Sequence, residues 1–192
     1  RQGPGITDNP LTPAVIAELA AFSSESGGLV VLDAGATHGV LPMLQNAGLG
    51  SSHWLLTPHP GEWQKLAPTP PPAPLTRADL EATKQLAAEL GITLLYKHAT
   101  PVVVTGDLEL PAFVLTEGTQ ALARAGSGDL LAGAAAAHGA TGLSAALAVL
   151  RAQTVIAWAA RLAERKRGPH GVLAQDILAH MGQVTEAAES AD

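Results

Sequence analysis

The sequence predicts a three-layer α/β/α fold around a mostly parallel central sheet. Short aliphatic runs at 29–33 (LVVLD), 53–57 (HWLLT) and 92–96 (ITLLY) lack polar alternation, the pattern of strands covered on both faces. Helical segments alternate with them, as in a parallel sheet wrapped by helices. Polar or glycine-rich loops follow the runs, and sheets of this kind bind ligands beyond the carboxyl ends of their strands.

The elements follow in order. RQGPGITDNP at the start reads as a Gly/Pro loop. In the helix after it, Thr12 serves as cap, Pro13 fits the first helical position, and Ile16, Leu19, Ala20 and Phe22 form an apolar stripe. Gly27-Gly28 turns the chain into the first strand, which ends at Asp33. A weak helix is predicted near 40–47, ahead of the second strand. Thr57-Pro58-His59-Pro60-Gly61-Glu62 then opens a short helix through Leu66. Five prolines between 68 and 74 mark an exposed, rigid surface loop at 68–75. Residues 76–90 are amphipathic, with Thr76 as cap and Gly91 as stop. VVVT at 102–105 and AFVL at 112–115, punctuated by Gly106-Asp107, predict a β-hairpin near 102–115. Three helices are expected at about 128–137, 143–165 and 173–181, followed by a fraying acidic tail.

Composition bounds the function. The 192 residues suit a single domain over 1–192, and 47% are apolar but only 3% aromatic, so the core rests on Ala, Leu and Val. Charged residues are 15%, which excludes a disordered chain. The absence of Cys excludes disulfide scaffolds, thiolate zinc sites and cysteine nucleophiles. A net charge of −6 argues against nucleic acid as a partner. The one basic cluster, Arg161, Arg165, Lys166 and Arg167, suits a helix C-terminus. The apolar stretch 130–137 is too short for a membrane span, which needs ~20 residues. No signal peptide is recognisable, and a cytoplasmic location is expected.

Three segments carry chemistry. In AGSGDLLAGAAAA, 125–137, two glycines precede an apolar helix whose first N–H groups and positive dipole end suit a phosphate. Asp129, in the first turn, either simply favours the helix N-terminus or accepts a proton from an attacking hydroxyl in phosphoryl transfer. In TPHPGEWQKL, 57–66, His59 and Glu62 are held at the ligand-side edge. His59 is placed to hydrogen-bond a polar substrate. Glu62 either caps the short helix or faces a metal-bound water. Lys97, one residue past a buried strand, either meets phosphate as a point charge or reaches water. His38, His53, His98, His138, His170 and His180 lack HExxH or HxH spacing, so no protein metal site is expected. Walker, dinucleotide-fingerprint and nucleophile-elbow motifs are absent from the sequence.

Taken together, GPGIT at 3–7, VLDAGAT at 31–37, LLTPHPGEWQKL at 55–66, Lys97 and ALARAGSGDLLAG at 121–133 resemble the ADP/ATP-dependent NAD(P)H-hydrate dehydratases of the ribokinase-like superfamily. The strings occur in that family's order and cover most of the chain. The resemblance implies a ribokinase-like domain that restores NADH or NADPH from its S hydrate. It implies consumption of ADP or ATP, with Mg²⁺ held mainly by phosphates and water. By the same resemblance Asp129 is the base and a substrate contact. Gly126, Ser127 and Gly128 form the anion hole. Gly5 and His59 touch the hydrate. Lys97, His98, Ala99, Thr100 and Pro101, with Gly128, bind the nucleotide.

The sequence departs from that family at His98, where Gly is usual, at Thr119-Gln120, and at Arg124, where a small or hydroxyl residue is usual. An arginine there would reach phosphate or block the pocket. The family's GPG string usually lies a third of the way into the domain, so the resemblance implies a chain lacking its N-terminal third. Fusion to an NAD(P)H-hydrate epimerase domain is a further expectation. The Ala-rich helices suggest a homo-oligomer, a tetramer being one form. The alternatives are a vitamin-precursor kinase of the same superfamily and a catalytically impaired nucleotide-binding remnant.

Overall fold

The computed structural model describes residues 12–37, 44, 53–66 and 76–189. In chain order the elements are α1 (Thr12–Ser26), β1 (Val30–Leu32), β2 (Trp54–Leu56), α2 (Pro60–Leu66), α3 (Arg77–Leu90), β3 (Thr93–Tyr96), β4 (Val102–Val104), β5 (Phe113–Val114), a 3₁₀ turn (Gln120–Ala123), α4 (Ser127–Ala140), α5 (Ala145–Arg167) and α6 (Ala174–Glu189). The expected features at 3–7 and 68–75 lie outside the described residues. So does the helix expected near 40–47, save Leu44, a buried helical residue.

The five strands form one sheet in the order β1-β2-β3-β4-β5. β1, β2 and β3 are parallel, with Val30 beside Trp54 and Leu55 beside Thr93. β4 and β5 run antiparallel, with Leu95 opposite Val103 and Val102 opposite Val114. The sheet is therefore mixed, and the hairpin expected near 102–115 supplies its antiparallel half. A hairpin needs no crossover helix, so no helix separates β4 from β5.

Side chains alternate cleanly across the sheet. Trp54, Leu56, Leu94, Tyr96, Val102 and Val104 face one way, into a core completed by Ile16 of α1, Trp63 of α2, and Ala87 and Leu90 of α3. Leu55, Leu95 and Val103 face the other way, against Leu131 and Ala135 of α4, Ala152, Ile156 and Ala160 of α5, and Ile177 of α6. Both faces of the central strands are buried, which is why their sequences read as unbroken apolar runs.

Local chemistry sets the helix ends. The Thr76 hydroxyl accepts from Asp79 N–H at 3.2 Å, while the Asp79 carboxylate accepts from Thr76 N–H at 2.8 Å. This reciprocal cap starts α3 and is worth ~1 kcal/mol. Gly91, at φ +66°, ends the helix in the left-handed conformation. α6 continues to Glu189, beyond the expected end near 181, because Met181 and Val184 pack against the core beneath it.

Helix α5 is long and apolar enough to cross a membrane by length and composition. Of its most apolar 18-residue stretch 56% is buried inside the domain, so α5 serves here as the core helix.

Candidate active site

A cavity of about 600 Å³ opens where the carboxyl ends of β1, β2 and β3 meet the N-terminus of α4. The segments after the three strands contribute Asp33, His59, Glu62 and Lys97 to its lining. His98, Ala99 and Pro101 continue one wall, and Gly126, Ser127, Gly128 and Asp129 form the opposite one. The edge predicted from strand order thus gathers these residues in one place. Thr100 is not among the lining residues, and Gly5 lies outside the described residues.

The floor is an ordered polar network. Oδ1 of Asp33 accepts hydrogen bonds from the Thr57 hydroxyl at 2.7 Å and from the Lys97 ammonium. Lys97 Nζ also stands 3.9 Å from Oε2 of Glu62. The Lys97 backbone N–H donates to the Pro58 carbonyl at 2.8 Å, which seats the loop after β3 against the loop after β2. Lys97 therefore meets the cavity as a half-buried, carboxylate-held cation rather than a side chain reaching into water.

His59 and Glu62 cap α2 reciprocally. Nδ1 of His59 accepts from the N–H groups of Gly61 and Glu62, at 3.0 and 3.3 Å. Oε2 of Glu62 accepts from the His59 backbone N–H at 2.9 Å, and Oε1 lies 3.1 Å from His59 Nε2. This pattern assigns the proton to Nε2, because Nδ1 is an acceptor. Both ring nitrogens are engaged within the loop, so His59 lines the cavity with its ring rather than with a free nitrogen. Gly61 fits the arrangement closely, since a Cβ there would lie 2.9 Å from the His59 ring. Glu62 thus takes the capping role.

The wall beyond Lys97 rests on aromatic packing. Tyr96 packs edge-on against Trp63, with centroids 5.1 Å apart, and lies parallel to the His98 ring at 5.9 Å. Burial pushes the Tyr96 phenol above its ordinary pKa.

Opposite, Gly126 adopts φ +92° and starts α4 without a side-chain cap. The Ser127 hydroxyl donates to the carbonyls of Leu122 and Arg124 at 2.7 and 2.9 Å, and the Ser127 N–H to the Arg124 carbonyl at 3.2 Å. Ser127 therefore shapes the turn. The first intrahelical N–H is that of Leu130, which donates to Gly126 O at 3.1 Å. Helix geometry leaves the N–H groups of Gly128 and Asp129 without intrahelical acceptors. Gly128 sits directly against the floor, because a Cβ there would lie 3.2 Å from Asp33 Oδ2 and 3.6 Å from Lys97 Nζ. The Asp129 side chain is exposed at the rim.

Sequence reading did not single out Glu164 and Gln153. Glu164, on α5, accepts from the Thr119 hydroxyl and, at 3.2 Å, from Ala121 N–H, fixing the 3₁₀ turn ahead of the glycines. A lone acid in that helix gives no local hint of this contact. Gln153 is buried and lines the cavity. Its signal was present: it interrupts the apolar stripe of Val149 and Ile156. Arg124 does not enter the cavity. Its guanidinium donates to the carbonyls of His170 and Pro169, at 3.2 and 3.4 Å.

Residues 2–182 match a family model described as NAD(P)H-hydrate dehydratase. The bifunctional NAD(P)H-hydrate repair enzyme Nnr of Moorella thermoacetica is 30% identical over 176 residues, 92% of this chain and 32% of that protein. The chain spans about a third of the length of the curated relatives it matches. The ADP/ATP-dependent NAD(P)H-hydrate dehydratase of Bacillus subtilis, co-crystallized with ATP/Mg²⁺, superposes with a TM-score of 0.75 at 23% identity, over 96% of this chain and 62% of that one. A ribokinase-like superfamily protein of Enterococcus faecalis V583 superposes with a TM-score of 0.72 at 19% identity, over 96% of this chain and 61% of that one. These two likenesses concern the fold, which is ribokinase-like.

Proposed function

We propose, for a chain that belongs to the NAD(P)H-hydrate dehydratase family, an enzyme that returns the S hydrate of NADH or NADPH to the reduced cofactor at the expense of ADP or ATP. The observation that carries the proposal is the meeting of Gly128, Asp129 and Lys97 at one cavity. An ammonium and free helix N–H groups converge where a phosphoryl group would sit, with a carboxylate beside them.

Hydroxide is a poor leaving group and phosphate a good one. Asp129 takes the proton from the hydrate hydroxyl as its oxygen bonds to the terminal phosphorus of the nucleotide and the bridging P–O bond breaks, releasing AMP from ADP or ADP from ATP. The C–O bond then breaks, its electron pair leaves with phosphate, and the neighbouring ring carbon gives its proton to water, so that the C–H electron pair becomes the restored double bond. Gly126, Ser127 and Gly128 form the turn that receives the phosphoryl group, with the N–H groups of Gly128 and Asp129 pointing to it. Lys97, His98, Ala99, Thr100 and Pro101 make the nucleotide wall. His59 offers the hydrate its ring as a surface, and Gly5 is proposed as a second substrate contact.

The residues fit a nucleotide that arrives with its own cation. Asp33, Glu62 and Asp129 set three carboxylates against the Lys97 ammonium around the cavity, so a polyphosphate enters more easily when partly neutralised. Among the described residues no cluster of His, Cys, Asp or Glu would cage a metal. Mg²⁺, when bound with the phosphates, supplies that neutralisation.

Relatives of the chain are bifunctional repair enzymes, and fusion to an epimerase domain is proposed here too. A cytoplasmic homo-oligomer is the proposed working form. The test incubates the protein with hydrated NADH, ADP or ATP, and Mg²⁺, and follows the absorbance of reduced nicotinamide. Nucleotide-dependent recovery is expected. Phosphorylation of a vitamin precursor without recovery would favour a kinase, and nucleotide binding without either reaction an inactive remnant.

A further inference from the structure

We infer that Arg124 is a positioning residue that ties the glycine turn, from behind, to the turn between α5 and α6. The inference rests on the reading of residues 126–129 as a phosphate cradle. The cavity lining passes from Ala123 to Gly126 and leaves Arg124 out. Its guanidinium points the other way, to the carbonyls of Pro169 and His170. No carboxylate pairs with it among the described residues, and its Nε is buried without a hydrogen-bond partner there. A partly buried cation whose only partners are neutral carbonyls, and whose Nε is enclosed with none, is costly unless the contact serves a purpose.

The same residue grips the cradle through its backbone. The Arg124 carbonyl accepts from both the N–H and the hydroxyl of Ser127. Side chain and main chain of one residue thus bridge the two turns. The glycine turn also lies against the start of α6, because a Cβ on Gly126 would lie 3.0 Å from the Ala174 Cβ. The far turn is a firm anchor. Asp176 accepts from Leu173 N–H at 2.9 Å and pairs with Arg167 Nε at 2.9 Å. Arg124 therefore fixes the aim of the Gly128 and Asp129 N–H groups without touching the anion they receive.

Hydrogen exchange on the ligand-free 192-residue chain, with a parallel ADP titration by calorimetry, tests this. Arg124→Met is expected to speed exchange over 122–129 about tenfold while β1–β3 and α3 keep their protection, and to weaken ADP binding about tenfold. Arg124→Lys keeps a cation that reaches carbonyls, and is expected to hold both quantities within about threefold of the parent. Arg124→Gln substitutes for the methionine variant if exchange in β3 shows that the latter is unfolded. Unchanged exchange over 122–129 would overturn the inference, and so would faster exchange with unaltered ADP affinity. A parent chain that binds no ADP would count against the nucleotide reading, and the exchange comparison alone would then decide the role of Arg124.

Discussion

A methyl group on Gly128 would stand 3.2 Å from Oδ2 of Asp33. The start of α4 is thus pressed against an ion pair whose carboxylate is held on its other oxygen by Thr57 and Lys97. Asp33 has little room to retreat.

Gly128→Ala should therefore displace the Asp33–Lys97 pair and cost about 1 kcal/mol of stability, with ADP binding weakened about tenfold. Gly133→Ala, in the same helix, meets open space. That change should stabilise the chain by roughly 0.5–1 kcal/mol and leave binding alone. Urea titration and calorimetry distinguish the two, and equal effects would contradict the geometry.

Asp129→Asn separates two roles for one carboxylate. As a proton acceptor it is essential, so turnover should fall at least ~100-fold while ADP affinity is retained. As a helix-start residue alone, its loss would cost only ~0.3–1 kcal/mol of stability and leave turnover near normal. Nicotinamide recovery under saturating ADP reads the difference.

Glu164→Ala should loosen the cavity from a distance. It strips the Thr119 hydroxyl and the Ala121 N–H of a charged acceptor, and about 1–3 kcal/mol of stability should go with it. Thr119→Val in the same background should add much less than it does alone, because the two changes remove one shared contact. Full additivity in a double-mutant cycle would deny the contact.

His138 gives the stability a pH dependence. Burial, and then the nearby Arg151 charge, hold its pKa below the ordinary histidine value of 6.5. The unfolded chain thus binds a proton there more readily than the folded one. This contribution is complete above about pH 6.5 and is lost as the pH falls below that value and through the lowered folded-state pKa. His138→Gln should flatten the loss of stability between about pH 7 and 5, measured by urea unfolding.

Much of this architecture was legible in short-range pattern. Unbroken apolar runs at 54–56, 93–96 and 102–104 mark strands with both faces covered, and Thr76 and Gly91 delimit α3 because capping is local chemistry. The gathering of Asp33, His59, Lys97 and Gly126–Asp129 followed from the rule that parallel strands deliver their loops to one edge. The side-chain partners were not legible. That His59 spends both ring nitrogens on its own loop depends on a rotamer, and that Ser127 turns inward depends on where Arg124 sits. The Glu164–Thr119 contact joins residues 45 positions apart, beyond the reach of any spacing rule.

The alanines of α5 have a consequence for how the fold tolerates change. Ala152, Ala159, Ala160 and Ala163 are wholly or almost wholly enclosed, and side chains of a single carbon leave the rod lying close to what it covers. Gln153 and Glu164 ride on that same rod. One extra carbon at one of these enclosed sites would lever the rod outward and carry both polar groups with it. Substitution is therefore expected to reach the cavity lining readily through the smallest, least reactive side chains.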